Sequence, residues 1–436
     1  MEQKWSVNIL LATVTTCFAL FFFALQDMGA RMIYVCVFLG AVVLLQAVLR
    51  PKITVNRIHI AYFCLAITSL LFFSFPNALH DYDVASVIIE IFLCFLLSCY
   101  AKPGERELKG LLQFIIAFAF VLSLYVIIVT IFPDIYYRYI SRFIAEGSRR
   151  TTEHMFGVGY GVIIGGNPTL VNHILVLSQL ILLNQYFILN GNGRKGKFKN
   201  MTLMIITLCA MFFENRKGEL LTFLMVAFYA IFFHLPGNAR ERMKRGLKYG
   251  VISLLLLLVI VIVALKLGLA NRYTFFFERL SDERPTDISS GRLYLWKVAI
   301  SKFLEYPFLG VGWGNIRNYV YMHNSASDTD IHNVHNLILQ LLSETGIIGC
   351  FMFMLPVTVI LIEARKTVHL LRRAKNSRLP RLLANVAFEY QLFLLLNGLL
   401  DSTWHRLSFW PFYAVSIIFA VAAVRMYSKS KADLPL

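Results

Sequence analysis

Trp5–Leu25 reads WSVNILLATVTTCFALFFFAL, a stretch of 21 residues without one charge. As a helix rising 1.5 Å per residue it covers about 31 Å, matching a bilayer hydrocarbon core of about 30 Å. It is longer than a signal-peptide core, and no small-residue cleavage pattern follows it, so it reads as a retained helix. Runs of the same kind recur along all 436 residues. They lie near 5–25, 32–49, 58–76, 84–100, 111–133, 170–190, 200–214, 219–235, 249–268, 346–364, 382–400 and 407–426. The expectation is an all-α polytopic membrane protein with about 12 transmembrane helices.

Composition agrees. The chain is 58% apolar and 15% charged, with 37 Phe and a mean hydropathy of +0.65. A soluble domain carries roughly 25% charged residues, so most of this surface does not meet water. The formal charge of +17 invites a nucleic-acid reading, but the positions of the basic residues oppose it. Arg50–Arg57 and Ala101–Gly110 hold three Lys or Arg each, Gly191–Asn200 four, Gly237–Gly250 five and Arg365–Arg381 seven. These are alternate connections, and Asn77–Asp83 between them has none. Such alternation follows the positive-inside rule and puts the basic loops and both termini in the cytoplasm. All seven Cys (17, 36, 64, 94, 99, 209, 350) lie in or beside apolar stretches, which leaves neither a disulfide framework nor a zinc ribbon.

The expected division is 1–133 with helices 1–5, an outer loop at 134–169, helices 6–9 over 170–268, a large outer loop at 269–336, and a motif helix with helices 10–12 over 337–436. Loops this long are usually functional. Both contain aromatic clusters and glycine turns, so ordered helical caps on the outer membrane surface are expected. Within the second, Ser290–Leu304 has helical spacing, with Leu293, Trp296, Ile300 and Phe303 on one face. No internal repeat is visible, which weakens an inverted-repeat transporter.

Three outward sites stand out. In the turn Glu214-Asn215-Arg216-Lys217-Gly218-Glu219, the preceding apolar run Met201–Phe213 covers only roughly 20 Å, so a recessed Arg216 facing a cavity or an anion is expected. A surface hairpin with snorkelling side chains is the alternative. Arg292 begins the amphipathic helix, where free N–H groups already favour an anion and a guanidinium offers a bidentate fork. An ordinary loop arginine is the competing reading. The glycines at 310, 312 and 314 lack the Lys-Ser/Thr of a nucleotide loop. Finally, Asp330 is an expected N-cap that places His332 and His335 three apart on one helix face. A third metal ligand is missing apart from a distant His323, so proton abstraction suits the pair better than zinc. A solvated pair capping a helix stays open.

His335-Asn336, nine residues, Gly346, two residues and Gly349 resemble the signature of the O-antigen ligase and O-antigen polymerase superfamily. The upstream Gly291-Arg292 and Leu309–Gly312 look like the rest of that family's shared domain. The Asn-Arg-Lys-Gly turn stands where its other external arginine, more often preceded by Ser, belongs. The resemblance implies a metal-independent, GT-C-type glycosyltransferase of the bacterial inner membrane, needing no cofactor and working on the periplasmic face. It implies a donor glycan on undecaprenyl diphosphate, with lipid A-core as acceptor for a ligase or a second lipid-linked glycan for a polymerase. His335 would then be the base and Arg216 and Arg292 the diphosphate-binding pair, with His332, Asn336 and Lys217 in support. Ligation is the favoured outcome; a capsule or exopolysaccharide polymerase is the near alternative, and a chain-length regulator a further candidate partner. Arg138, Arg142, Arg149 and Arg150 of the first loop are expected to help hold glycan. The rival class is a transporter of lipid-linked sugar using Glu90 and Glu389, although an interhelical hydrogen bond is the simpler account of those two acids.

Overall fold

The structure is a computed structural model. It describes residues 28–49, 53, 55–80, 82–146, 149–150, 152–153, 168–188, 193–214, 216–234, 238–266, 292–321, 333–372, 378–401 and 409–432. Its helices of six residues or more are α1 (Met28–Leu49), α2 (Arg57–Phe73), α3 (Tyr82–Tyr100), α4 (Glu105–Ile131), α5 (Pro168–Ile188), α6 (Arg194–Phe213), α7 (Lys217–His234) and α8 (Ala239–Lys266). Then come α9 (Arg292–Glu305), α10 (Ile316–Tyr321), α11 (Leu337–Arg372), α12 (Arg378–Gly398) and α13 (Trp410–Ala432). Among the described residues there is no strand. Six of these helices are long and apolar enough to cross a membrane, with shorter apolar helices beside them. The chain is therefore an all-α, multi-pass membrane protein. In hydrocarbon every backbone N–H and C=O must be paired within the segment, which only helices achieve here. Eleven of the twelve expected spans coincide with a helix; the one at 5–25 lies outside the described residues.

The helices outrun their apolar cores at the basic ends. α6 begins at Arg194 and runs 20 residues, about 30 Å. The expected shortfall of the Met201–Phe213 run is thus made up by residues assigned to a loop. α8 likewise takes in Arg240–Lys248, and α11 continues to Arg372. Lys and Arg are good helix formers whose stems reach back along apolar surface while the charge stays in water.

The described residues fall into two compact units, divided at Leu111/Leu112 and again at Ile288/Ser289. In the first, α2 packs on α11 and α3, α1 on α3, and α12 between α11 and α13. An aromatic node joins α2, α3 and α13: Tyr62 stacks on Trp410 at 6.5 Å and meets Phe95 and Tyr413 edge-on. α9 rests on α11. In the second unit α5 is central and buried over most of its length, packed by α6 and α7, and Gln179 donates to the Met204 carbonyl at 2.7 Å.

Candidate active site

In the first unit, the site grows from a break in α11. Gly346 sits at φ +65° inside that 36-residue helix, a conformation an L side chain rarely adopts. A Cβ there would also lie 2.2 Å from the Phe308 carbonyl carbon. The break frees backbone groups, and the stretch from Pro307 to Gly312 takes them up. Val311 and Gly312 donate to the carbonyls of Ser343 and Glu344 at 2.8 and 2.9 Å. Ile347 and Ile348 donate back to Pro307 and Phe308 at 2.8 and 3.4 Å. Gly349, one turn on, leaves room for Phe72 of α2; a Cβ there would meet its ring at 2.6 Å. Both glycines of the signature thus have a packing reason.

At the near end of α11, Asn336 is the cap. Its Oδ1 accepts from Leu339 N–H at 3.0 Å and its Nδ2 donates to the Leu399 carbonyl at 3.1 Å. The expected cap, Asp330, lies six residues too early, because 333–336 is not helical; His332 lies outside the described residues. A side-chain acceptor at the helix start is worth about 1 kcal/mol. Here it also ties the helix to the end of α12.

His335 stands just before this cap at φ +54°, the one non-glycine residue with positive φ among the described residues. Its Nδ1 is 2.9 Å from Asp401 Oδ1, just beyond α12. The carboxylate is 7% exposed and the imidazole 29%. An ionised carboxylate only accepts, so the proton sits on Nδ1 and the lone pair on Nε2. This arrangement supports proton abstraction and then stabilises the imidazolium that forms. Behind it, Gln340 Nε2 donates to Asn333 Oδ1 at 3.3 Å and to Glu344 Oε1 at 3.1 Å, bracing the 333–336 turn against the helix.

α9 brings Arg292 to the same unit. Trp296 Nε1 donates to the Val334 carbonyl at 3.1 Å, adjacent to His335. Residues four apart share a helix face, so Arg292 stands one turn from that contact, on the side of α9 that packs on α11. Among the described residues no polar side chain engages it.

In the second unit, Arg216 lies between the end of α6 and the start of α7, 16% exposed, with Nε 3.3 Å from Glu219 Oε1. Glu214 is fully buried. Burial pushes its carboxyl well above the usual range, Glu219 adds to the rise, and Arg216 opposes it. Lys217 is exposed at the first position of α7. Of the four arginines of the first outer loop, Arg150 pairs with Glu146 and Arg149 with Glu153, while Arg142 lies over the Phe143 ring at 4.9 Å.

Sequence reasoning missed Asp401. The signal was present: Asp-Ser-Thr-Trp-His-Arg, 401–406, is a polar run between two apolar ones. Of the two intramembrane acids, for which a hydrogen bond is the simpler account, only Glu90 departs from it. Glu389 is partnered, but both oxygens of buried Glu90 lack a hydrogen bond, with Cys36, Cys94 and Tyr62 nearby.

A multi-pass helical membrane protein with a buried carboxylate on a histidine holds the parts for acid–base chemistry at a membrane. Residues 202–354 match the family model described as O-Antigen ligase, and that match supports the resemblance to the O-antigen ligase and polymerase superfamily over this stretch. The matched stretch holds Arg216, Arg292, His335, Asn336, Gly346 and Gly349, whereas Asp401 lies beyond it. No curated protein matches the chain. The matched family implies glycosyltransferase-type activity in general.

Proposed function

We propose that this protein transfers a glycan from undecaprenyl diphosphate to an acceptor sugar hydroxyl at the outer face of the bacterial inner membrane. Both termini are cytoplasmic in this reading. The observation that carries it is the His335 Nδ1–Asp401 Oδ1 contact at 2.9 Å, which leaves Nε2 free to receive a proton. The acceptor hydroxyl gives that proton to His335 as its oxygen attacks the anomeric carbon. The glycosidic bond to the diphosphate breaks, and its electron pair leaves on the phosphate oxygen. Arg292 and Arg216 neutralise that developing charge, the work a divalent ion does elsewhere. Lys217 and His332 lie beside these groups in sequence and support them, and Asn336 fixes the backbone that carries the base. Asp401 orients the imidazole and does not itself touch substrate.

Ligation to lipid A-core is the preferred outcome. Electrophoresis of surface lipopolysaccharide from cells carrying His335→Ala tests it. Loss of core-attached glycan with accumulation of long lipid-linked chains is expected. A single repeat unit left on the core would assign polymerisation instead, and an unchanged ladder would remove His335 from the chemistry.

A further inference from the structure

α9 carries apolar residues on two sides, and only one side is buried. Leu295 and Ala299 are buried, and Trp296 bonds to the Val334 carbonyl. Ala299 packs with Ile316 and Val334, and Lys302 turns inward over the Tyr319 ring at 4.5 Å. On the opposite side, Leu293, Ile300 and Leu304 repeat at helical spacing and are exposed, Leu304 to 71%. The expected stripe of Leu293, Trp296, Ile300 and Phe303 is therefore split lengthwise: the Trp296 edge is turned inward and the Leu293–Ile300 edge is exposed. A surface helix facing water carries polar residues there. This one ends in a turn whose Phe308 is 68% exposed.

The exposed face is continuous with surface that meets lipid. Pro307 and Phe308 are bonded to Ile347 and Ile348. Ile347 opens the long run of α11 below the Gly346 break, where Phe351 is 64% exposed. Leu304, Phe308, Ile347 and Phe351 are all exposed apolar residues, with exposed Glu305 beside Leu304 at the margin. We infer that α9 is an in-plane interfacial helix whose Leu293, Ile300, Leu304 and Phe308 are seated in the hydrocarbon of the outer leaflet. Lys297, exposed on the same side, reaches the headgroups by its stem. The seat fixes the height of the whole helix, so Arg292 at its start stands at headgroup level. This placement needs only the membrane, not any particular glycan.

The test uses the full chain in bilayers, with an environment-sensitive fluorescent amino acid placed singly at position 300, 304, 305 or 351. Vesicles carry lipids brominated near the carbonyl end of the acyl chain, and iodide serves as the aqueous quencher. Positions 300 and 304 are expected to be quenched by bromine as strongly as 351, and at least threefold more than 305. Quenching of 300 and 304 by iodide instead would put the face in water and overturn the inference. Quenching by neither would mean that protein covers it, which also overturns it. Ile300→Asn combined with Leu304→Asn is expected to lose the bromine signal at a probe placed on 308. His335→Ala, inactive under the proposed function, must leave all four signals unchanged, so failure of one reading does not imitate failure of the other.

Discussion

The two polar sites are built on opposite principles. Around His335 the charges are shared out: the imidazole has its carboxylate, Asn336 has both its partners, and Gln340 is shared by Asn333 and Glu344. Around Arg216 the acids exceed the base, with Glu214 and Glu219 both buried beside one guanidinium. A group that must move a proton in a fixed direction needs a settled orientation. A group that must accept an anion has to be able to trade a carboxylate for that anion.

The contrast can be broken at several points. The largest effect is expected from His335→Ala: transfer should fall by about a thousandfold at normal expression, since removing a general base costs roughly 10²–10⁴. Retention of wild-type turnover in reconstituted vesicles would place the proton elsewhere. Asp401→Asn keeps the shape but lets the amide favour the other tautomer, and about a hundredfold loss in kcat with little change in KM is expected. If KM alone rose, Asp401 would belong to substrate binding. Gly346→Ala attacks the scaffold: the strained φ and the clash with Phe308 should cost about 3 kcal/mol, read as lost monodispersity in detergent. Arg292→Lys keeps the charge and loses the fork, and about a tenfold rise in donor KM is expected from the steady-state kinetics.

The smallest effect concerns Glu214. Its folded pKa lies above the unfolded value of about 4.3, so the folded state binds the extra proton. Stability is then fully present at low pH and falls as pH rises from that unfolded value towards the folded one. A thermal-melt series in detergent should show a Tm that declines as pH rises above the unfolded carboxyl range, a decline that Glu214→Gln flattens. A Tm equally steep in the variant would assign the slope to another group.

Much of the fold was legible because the membrane imposes a long apolar run on every span, and such runs survive without any tertiary information. The boundaries were less legible at the basic ends: Arg194–Lys199 reads as loop by charge, yet it continues a helix whose side chains escape to water. His335, Asn336, Gly346 and Gly349 were readable together because the helix that joins them is local. Asp401 was not, since its role depends on α12 returning beside α11, 66 residues away along the chain. The cap was misplaced onto Asp330 for a related reason: an Asp and an Asn fit a helix start equally well, and the bonds to Leu339 and Leu399 pick the Asn.

The broken turn of α11 also has a bearing on length. Four backbone bonds stitch 307–312 to 343–348, and each end of the stitch is fixed by a glycine that no larger residue replaces. One residue inserted between Pro307 and Gly312 slides these bonds out of register together. That stretch therefore tolerates a new side chain at exposed Leu309 but no new link in the chain, and a tag or epitope belongs somewhere else.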